Sequence, residues 1–134
     1  MTRFIDANVF IYVLTENPEF YGAAKAILGR VEGGEEAFTS TLVLEEVFVF
    51  LDARGAAIRI PRVLDFIRSF TSLLIVPYLL EDMAAAAALM DEIGPKVDWD
   101  DALIAATMRR LGLSEIYSND AHFDVIPGIE RYFH

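Results

Sequence analysis

Arg3-Phe4-Ile5-Asp6-Ala7-Asn8-Val9 lies near the start of the chain and carries an apolar stretch that ends in an aspartate. Residues 3–6 are predicted to form a short strand, and residues 9–14 a short helix that stops near Asn17-Pro18. Ligands bind beyond the carboxyl ends of the strands in an open parallel sheet, so Asp6 is expected at the edge where a site forms. The stretch therefore predicts an α/β fold with an acidic group at its functional edge.

The rest of the chain repeats this alternation of short strands and helices. Further strands are predicted at residues 37–39, 73–76 and 115–118, and helices at 20–31, 41–53, 61–70, 81–93 and 99–111. Glycines follow most of these helices, as expected for helix ends. Strands separated by helices imply a central, mostly parallel twisted sheet flanked by helices on both faces, an α/β/α sandwich. Residues 1–134 are expected to form one domain of this kind.

The composition restricts the class of protein. Hydrophobic residues make up 54% of the chain and no run is long enough for a membrane span, which predicts a cytoplasmic protein with no membrane partner. The start of the chain reaches an acid too soon for a secretory signal. The net charge of −10 disfavours nucleic acid at long range. Screening confines that effect to about 8 Å, so a local basic patch remains able to bind RNA.

Four acidic residues occupy positions where an apolar segment ends or an apolar helical face would otherwise be continuous: Asp6, Glu46, Asp101 and Asp120. Two such charges about 4 Å apart would repel by about 4 kcal/mol at an intermediate dielectric, so a divalent cation is the expected partner. The chain has no cysteine, and its two histidines, His122 and His134, lie in no paired motif. Oxygen ligands and a hard cation, magnesium (Mg²⁺) or manganese (Mn²⁺), are therefore predicted rather than zinc.

Helical spacing separates two pairs of adjacent acids. At about 100° per residue, Glu46 falls on the apolar face of its helix and Glu45 on the solvated face. Asp101 likewise lies on the apolar side of the next acidic helix, and Asp100 on its more polar side. The local alternative for this helix start is that Asp98 caps the helix and that acids in its first turn favour its positive end.

Each of these acids also has a purely local explanation. On this local explanation, Asp6 or Asn8 is only a helix cap and Ser118-Asn119-Asp120 is only a polar turn, since such side chains bond readily to nearby backbone groups. Asp101 would then be one of the acids that favour a helix start. Four independent local roles are less economical than one shared site.

The four acidic segments together resemble PIN domains. Phe4-Ile5-Asp6-Ala7-Asn8-Val9 resembles their first motif, and residues 39–47 resemble the second. Asp101-Ala102-Leu103-Ile104-Ala105-Ala106-Thr107 is similar to the third motif. Ser118-Asn119-Asp120-Ala121-His122-Phe123 is similar to the fourth, with Ile126-Pro127-Gly128 following as in VapC-type toxins. The order and spacing agree across nearly the whole chain.

The resemblance implies a metal-dependent ribonuclease, usually the toxin of a toxin–antitoxin pair. It implies an acidic quartet of Asp6, Glu46, Asp101 and Asp120, supported by Asn8 and Ser118. Asp6 and Asp101 would hold the principal ion, while Glu46 and Asp120 would bind it directly, bind a second ion or orient its waters. The resemblance also implies a homodimer and a small antitoxin whose tail occupies the acidic groove. The roles of Asp98 and Asp124, two extra acids near the motifs, are left open.

Three other functions are compatible with parts of the pattern. An aspartyl-phosphate phosphatase would need a second aspartate where Asn8 stands. A phosphoacceptor receiver domain would need a lysine near the last strand, and none is there. A PIN-like module that binds RNA or a protein without cutting is the remaining alternative.

Two further surfaces are predicted from residue clustering. Four basic residues lie within fifteen positions, Arg54, Arg59, Arg62 and Arg68, and form the first candidate for phosphate contact, with Arg109-Arg110 as the second. The alternative is that these arginines pair with surface acids such as Asp52 and Asp65. An excess of large apolar side chains suggests a helix-mediated homodimer: Phe48, Phe50, Leu51, Phe66 and Phe70. The alternative is that these side chains simply pack in the core.

Overall fold

The computed structural model describes residues 2–134. Five strands form one sheet: β1 (Arg3–Ile5), β2 (Ala37–Ser40), β3 (Leu73–Val76), β4 (Glu115–Tyr117) and β5 (Glu130–Tyr132). Helices connect them: α1 (Ala7–Leu14), α2 (Tyr21–Glu32), α3 (Thr41–Ala53), α4 (Ile60–Arg68), α5 (Leu80–Ile93) and α6 (Trp99–Arg110). Short 3₁₀ turns span Ala57–Arg59 and Ala121–Val125. None of the helices within residues 2–134 is long and apolar enough to cross a membrane.

The strand order β3-β2-β1-β4-β5 positions the site. All neighbouring strands are parallel, so the predicted α/β fold with a mostly parallel sheet is confirmed. The chain moves outward from β1 in one direction to β2 and β3, and later in the other direction to β4 and β5. In open α/β sheets, a crevice forms beyond the carboxyl ends of the strands where the order reverses. Here that crevice lies beyond the ends of β1 and β4.

Strand β5 was not predicted from the sequence. It contains only Glu130-Arg131-Tyr132, and its side chains are exposed or half-buried because it forms an edge of the sheet. A three-residue edge strand of this composition has neither the apolar run nor the alternation that signals a strand. Residues 130–132 form a strand because they pair with β4, and this pairing leaves no local signal in the sequence.

The core lies on both faces of the sheet. Strands β1 and β4 contribute completely buried side chains from successive positions, Phe4, Ile5, Ile116 and Tyr117, as expected for central parallel strands. Helix α6 is buried along eight consecutive residues, from Asp101 to Met108. A charged residue at the start of such a helix is held firmly, because the rest of the helix is packed against neighbouring elements.

Candidate metal centre

Asp6 occupies the carboxyl end of β1 and caps α1. Its Oδ1 accepts a hydrogen bond from the backbone N–H of Ala7 at 2.8 Å, so α1 begins two residues earlier than predicted. Its Oδ2 accepts from the Ser118 hydroxyl at 2.7 Å and from the Asn8 amide at 3.3 Å. The interpretation as a cap is therefore correct. The same buried carboxylate also contacts both of its predicted supporting residues.

Glu46 projects from the second turn of α3, which Ser40 caps. Its side chain is half-buried while that of Glu45 is exposed, as the helical spacing predicts. The Oε1 atom of Glu46 is buried and has no hydrogen-bond partner among the described residues. An unsatisfied buried acceptor costs about 1–3 kcal/mol, so this atom favours a missing donor or cation beside it.

Helix α6 presents three acids in and before its first turn. Asp101 is only 7% exposed, whereas Asp98 and Asp100 are exposed. Asp98 occupies the N-cap position, as the capping alternative predicts, but its side chain makes no capping hydrogen bond. Asp101 is thus the one acid of the three that the packing of α6 encloses.

Asp120 lies in a tight turn after β4. Its backbone N–H donates to the Ser118 hydroxyl oxygen at 3.0 Å, and its Oδ1 accepts from the backbone N–H of His122 at 2.9 Å. The predicted polar turn therefore exists. Its hydrogen bonds orient the half-buried Asp120 carboxylate toward the crevice shared with Asp6, because Ser118 binds both residues.

Burial and mutual repulsion raise the pKa values of three acids. Burial raises the pKa of Asp6 from 3.8 to about 6, aided by the charge of Asp120 and opposed by the hydrogen bond from Ser118. Burial raises the pKa of Asp101 to about 7, with Asp120 and Asp6 adding to it. Burial raises the pKa of Glu46 to about 8, and the charges of the other acids in the crevice add to it. The four acids of the predicted quartet thus act on one another electrostatically, which requires them to lie close together.

Asp100 contributes to the same field, which the helical spacing did not predict. Its side chain is exposed as expected, but its charge raises the pKa of both Asp6 and Glu46. The exposed side of α6 at this turn therefore faces the rim of the crevice. Only the packing of α6 against the sheet edge reveals that orientation.

His122 is the site residue that the sequence reasoning missed. Its Nδ1 lies 3.1 Å from Oδ2 of Asp101, 3.3 Å from Oδ1 of Asp120 and 3.9 Å from Oδ2 of Asp98. The charge of Asp120, with that of Asp101 and Asp98, raises the pKa of His122 above its usual range. The available signal was its position two residues after Asp120, but no partner histidine accompanies it.

Asp124 is excluded from this group of acids by its own ion pair. Both of its carboxylate oxygens accept from the Arg131 guanidinium at 2.9 Å, in a bidentate arrangement. The Arg131 side chain thereby holds the pKa of Asp124 below its usual range. Asp124 therefore anchors the turn to β5 and does not face the crevice acids.

The donor set fits a divalent cation. Within residues 2–134, Asp6, Asp101 and Asp120 form no ion pair with a lysine or arginine, and Oε1 of Glu46 has no hydrogen-bond partner. His122 is the basic side chain that contacts Asp101 and Asp120, so the negative charge of the four acids is only partly compensated. Hard divalent ions take oxygen ligands of this kind. Asp6, Glu46, Asp101 and Asp120 are the residues that could hold such an ion.

The predicted basic cluster lies on the end of α3, the following 3₁₀ turn and α4. All four of its arginines are exposed, and within residues 2–134 they form no ion pair with Asp52, Asp65 or another carboxylate: Arg54, Arg59, Arg62 and Arg68. Arg54 stacks over the Phe50 ring at 4.3 Å. The alternative of surface ion pairing is therefore not supported for this cluster.

The second basic candidate, Arg109-Arg110, has structural partners instead. Arg110 donates through Nε to Oδ1 of the buried Asp82 at 2.8 Å, and through Nη2 to the Pro77 carbonyl at 2.9 Å. Arg109 donates to the Pro127 carbonyl at 2.7 Å. A cation committed to a buried carboxylate is a poor phosphate ligand, so these contacts favour the alternative of ion pairing for Arg110.

Comparison with known proteins gives a consistent result. The family model described as PIN domain matches residues 3–129. VapC20 from Mycobacterium tuberculosis, described as a sarcin-ricin loop cleaving toxin, superposes with a TM-score of 0.79 at 19% identity, covering 95% of each chain. VapBC2 from Rickettsia felis, bound to a DNA fragment from its promoter, gives 0.75 at 18%, with 98% of each chain covered. DNA-bound VapBC from Salmonella typhimurium gives 0.74 at 21%, also over 98% of each chain. No curated protein matches the sequence significantly.

Proposed function

Since the chain belongs to the PIN domain family, we propose that it is a divalent-metal-dependent endoribonuclease, the toxin of a VapBC-type toxin–antitoxin pair. The observation that carries the proposal is the crevice in which acids from four separate segments meet, where burial and the charges of neighbouring acids raise the pKa values of Asp6, Glu46 and Asp101. The fold shared with VapC20 and with VapBC complexes supports the same class of activity. The raised pKa values favour a cation there, because a bound cation would offset the repulsion.

The catalytic roles follow from the positions of the four acids. Asp6 and Asp101, the two buried aspartates, would hold the principal ion. Glu46 and Asp120, which are more exposed, would bind it directly, bind a second ion or orient its waters. A bound divalent ion supplies an activated water and neutralises charge on phosphate oxygens. Asn8 and Ser118 are supporting residues that hold the Asp6 carboxylate through Oδ2.

RNA contact is assigned to the exposed cluster of Arg54, Arg59, Arg62 and Arg68. Arg54 and Phe50 line a cavity of about 320 Å³ together with Tyr12. Tyr12 is also held by Asn119, the neighbour of Asp120, through a hydrogen bond of 3.2 Å. An arginine and two aromatic rings that line one cavity suit a phosphate with an adjacent base. Since the net charge is −10, this local patch would provide the attraction for RNA.

The proposed partner is a small antitoxin, because several structural neighbours are toxin–antitoxin complexes. The acidic crevice would attract a basic side chain of such a protein. The test is whether an untagged antitoxin co-purifies with the tagged chain. The purified antitoxin should then inhibit RNA cleavage by the chain. A partner that binds equally well after the crevice acids are neutralised would contradict binding in the crevice.

A homodimer is proposed on the exposed apolar surface of α3 and α4. Of the five residues predicted for it, Leu51 and Phe70 are buried core residues and are removed from the prediction. Phe66 on α4 is 37% exposed, and Val49 on α3 is 59% exposed. Sedimentation equilibrium should give twice the chain mass, and Val49→Asp should shift it toward the monomer.

The function is tested by incubating the purified chain with transfer, ribosomal and messenger RNA, with and without Mg²⁺ or Mn²⁺. Cleavage should need the cation and stop with a chelator. Asp101→Asn and Glu46→Gln should lose activity at least about 100-fold, because the proposed ligands are removed. Glu45→Gln, one position away and exposed, is the matched control and should retain activity. Sequencing of the cleavage ends would identify the RNA and the bases.

Two outcomes would contradict the proposal. Full cation-dependent cleavage by Asp101→Asn, with contaminating nuclease excluded, would show that this crevice is not the catalytic site. Cation and RNA binding without cleavage of any RNA would favour the alternative, a non-catalytic PIN-like binding module.

A further inference from the structure

His122 lies beside the acidic quartet but is not one of its four residues. Its imidazole is 53% exposed and lies on the 3₁₀ turn after Asp120. The Nδ1 atom faces carboxylate oxygens of Asp101, Asp120 and Asp98, at 3.1, 3.3 and 3.9 Å. The outermost of these acids, Asp98, is 78% exposed and makes no hydrogen bond that caps its helix. One nitrogen thus faces three acids at the mouth of the crevice.

These separations suit donor atoms that share one cation. Ligand atoms held at about 2.1 Å from a single ion lie roughly 3 to 4.2 Å apart, depending on whether they are adjacent or opposite. One ligand atom each from Asp98, Asp101 and His122 lies within 4.8 Å of the other two. The set therefore needs only a small contraction to close around an ion, and exposed Asp98 is free to make it.

Asp101 and Asp120 belong to both groups of residues. They act on Asp6 and Glu46 inside the crevice, and their oxygens also lie beside His122 at its mouth. The inner group consists of Asp6, Glu46, Asp101 and Asp120. It has an unused ligand atom of its own, the buried Oε1 of Glu46, so it does not need Asp98 or His122. Asp101 has two carboxylate oxygens, so it could contribute one oxygen to each group.

We propose that Asp98, Asp101 and His122 form a second cation position at the crevice mouth, in which the imidazole makes the centre selective for a first-row transition ion. This proposal rests on the proposed function, which assigns a first cation to the acidic quartet. It adds the kind of metal that the centre binds. Imidazole nitrogen binds transition ions in preference to Mg²⁺, which keeps to oxygen and water. The sequence predicts oxygen ligands alone, whereas His122 would add a nitrogen ligand.

Binding of Mn²⁺ tests the inference without any RNA. Titration of the metal-free protein, followed by electron paramagnetic resonance of free Mn²⁺, should count two ions per chain. Pulsed measurements on the saturated protein should detect hyperfine coupling to a histidine nitrogen. His134 is the only other histidine in the chain, and it lies beside Tyr132, with ring centroids 6.0 Å apart. His134→Ala is therefore the matched control and should keep the coupling.

His122→Ala should abolish the nitrogen coupling and weaken the second Mn²⁺ by about tenfold or more, as for the loss of a metal contact. Mg²⁺ affinity should change much less. Asp98→Asn, at an exposed position, should weaken the same Mn²⁺ and keep the first ion bound. A saturated protein without nitrogen coupling, or one whose coupling survives His122→Ala, would overturn the inference and leave His122 as a hydrogen-bond partner of Asp101.

The outcome is separable from the proposed function. Nitrogen coupling in a protein that cleaves no RNA would support the metal position and contradict the nuclease. RNA cleavage by a protein that shows one Mn²⁺ and no coupling would do the reverse.

Discussion

The hydroxyl of Ser118 donates to Oδ2 of Asp6 at 2.7 Å, across 112 positions of sequence. The hydroxyl oxygen of Ser118 also accepts from the Asn8 amide at 3.1 Å and from the backbone N–H of Asp120 at 3.0 Å. One completely buried side chain therefore ties the end of β1 to the end of β4 and holds acids from both segments. The hydrogen bond also lowers the pKa of Asp6 against the effect of burial, so it keeps this acid closer to its charged form.

Ser118→Ala should fold but hold a cation poorly. Loss of the hydroxyl removes a hydrogen bond to the Asp6 carboxylate, which costs about 1–3 kcal/mol of stability. Cation affinity should fall by about 10- to 100-fold, the usual effect of removing a group that orients a ligand. Calorimetric titration with Mn²⁺ measures it. Ser114→Ala, at an exposed serine before β4, should change neither quantity.

The free energy of unfolding of the metal-free protein should fall as pH rises from about 4 to 8. The folded-state pKa values of Asp6, Asp101 and Glu46 are about 6, 7 and 8, against 3.8, 3.8 and 4.5 for the unperturbed groups. In that window the folded chain binds more protons than the unfolded chain, so each group's stabilising contribution is lost as pH rises through its folded pKa. Urea unfolding across the range measures the slope.

Saturating Mg²⁺ should reduce or reverse that slope, because the cation binds only the deprotonated carboxylates. Metal-free protein whose stability rises steadily from pH 5 to about pH 8 would contradict the raised pKa values.

Glu46→Gln should stabilise the metal-free protein above about pH 8, where Glu46 is charged, and change little near pH 6. The amide removes the charge while keeping the size of the side chain. The same variant should bind Mn²⁺ more weakly. Thermal unfolding at both pH values measures the first effect. Glu45→Gln should show no pH-dependent difference from the original chain, and an identical response in both variants would sink the assignment of Glu46 to the crevice.

Each substitution of Arg54, Arg59, Arg62 or Arg68 by serine should lower the dependence of RNA affinity on salt. Loss of one phosphate contact reduces the slope of log affinity against log salt by about 0.7 for single strands. Filter binding to a catalytically inactive Asp101→Asn background, over a range of salt concentrations, gives the slopes. Lys25→Ser, which removes an exposed charge from α2, is the control and should leave the slope unchanged.

Arg110→Met should destabilise the fold by about 3 kcal/mol or more, because it leaves the buried Asp82 carboxylate without its cation. Asp82 also accepts from the backbone N–H of Leu79 at the start of α5, so the damage should spread to that helix end. Arg109→Met, at the adjacent exposed position, should cost far less. Equal stability of the two variants in urea unfolding would show that the ion pair is not structural.

Local pattern was enough to predict most of the fold. Apolar runs gave β1 to β4, helical spacing gave the helices, and glycines such as Gly55 and Gly112, both with positive φ, ended α3 and α6. The same spacing distinguished Glu46 from Glu45. These features depend on residues a few positions apart, whose relative directions the helix or strand geometry itself determines.

Tertiary structure alone decided the relations between remote residues. The chemistry of Asp6 and of its partner Ser118 was readable from the sequence, but their 2.7 Å contact depends on β4 pairing with β1. The approach of His122 to Asp98 and Asp101, and the pairing of Arg110 with Asp82, are likewise products of packing. Side-chain chemistry and local periodicity can be read from short stretches of sequence. Distances between separate segments arise only when the whole core has closed around the sheet.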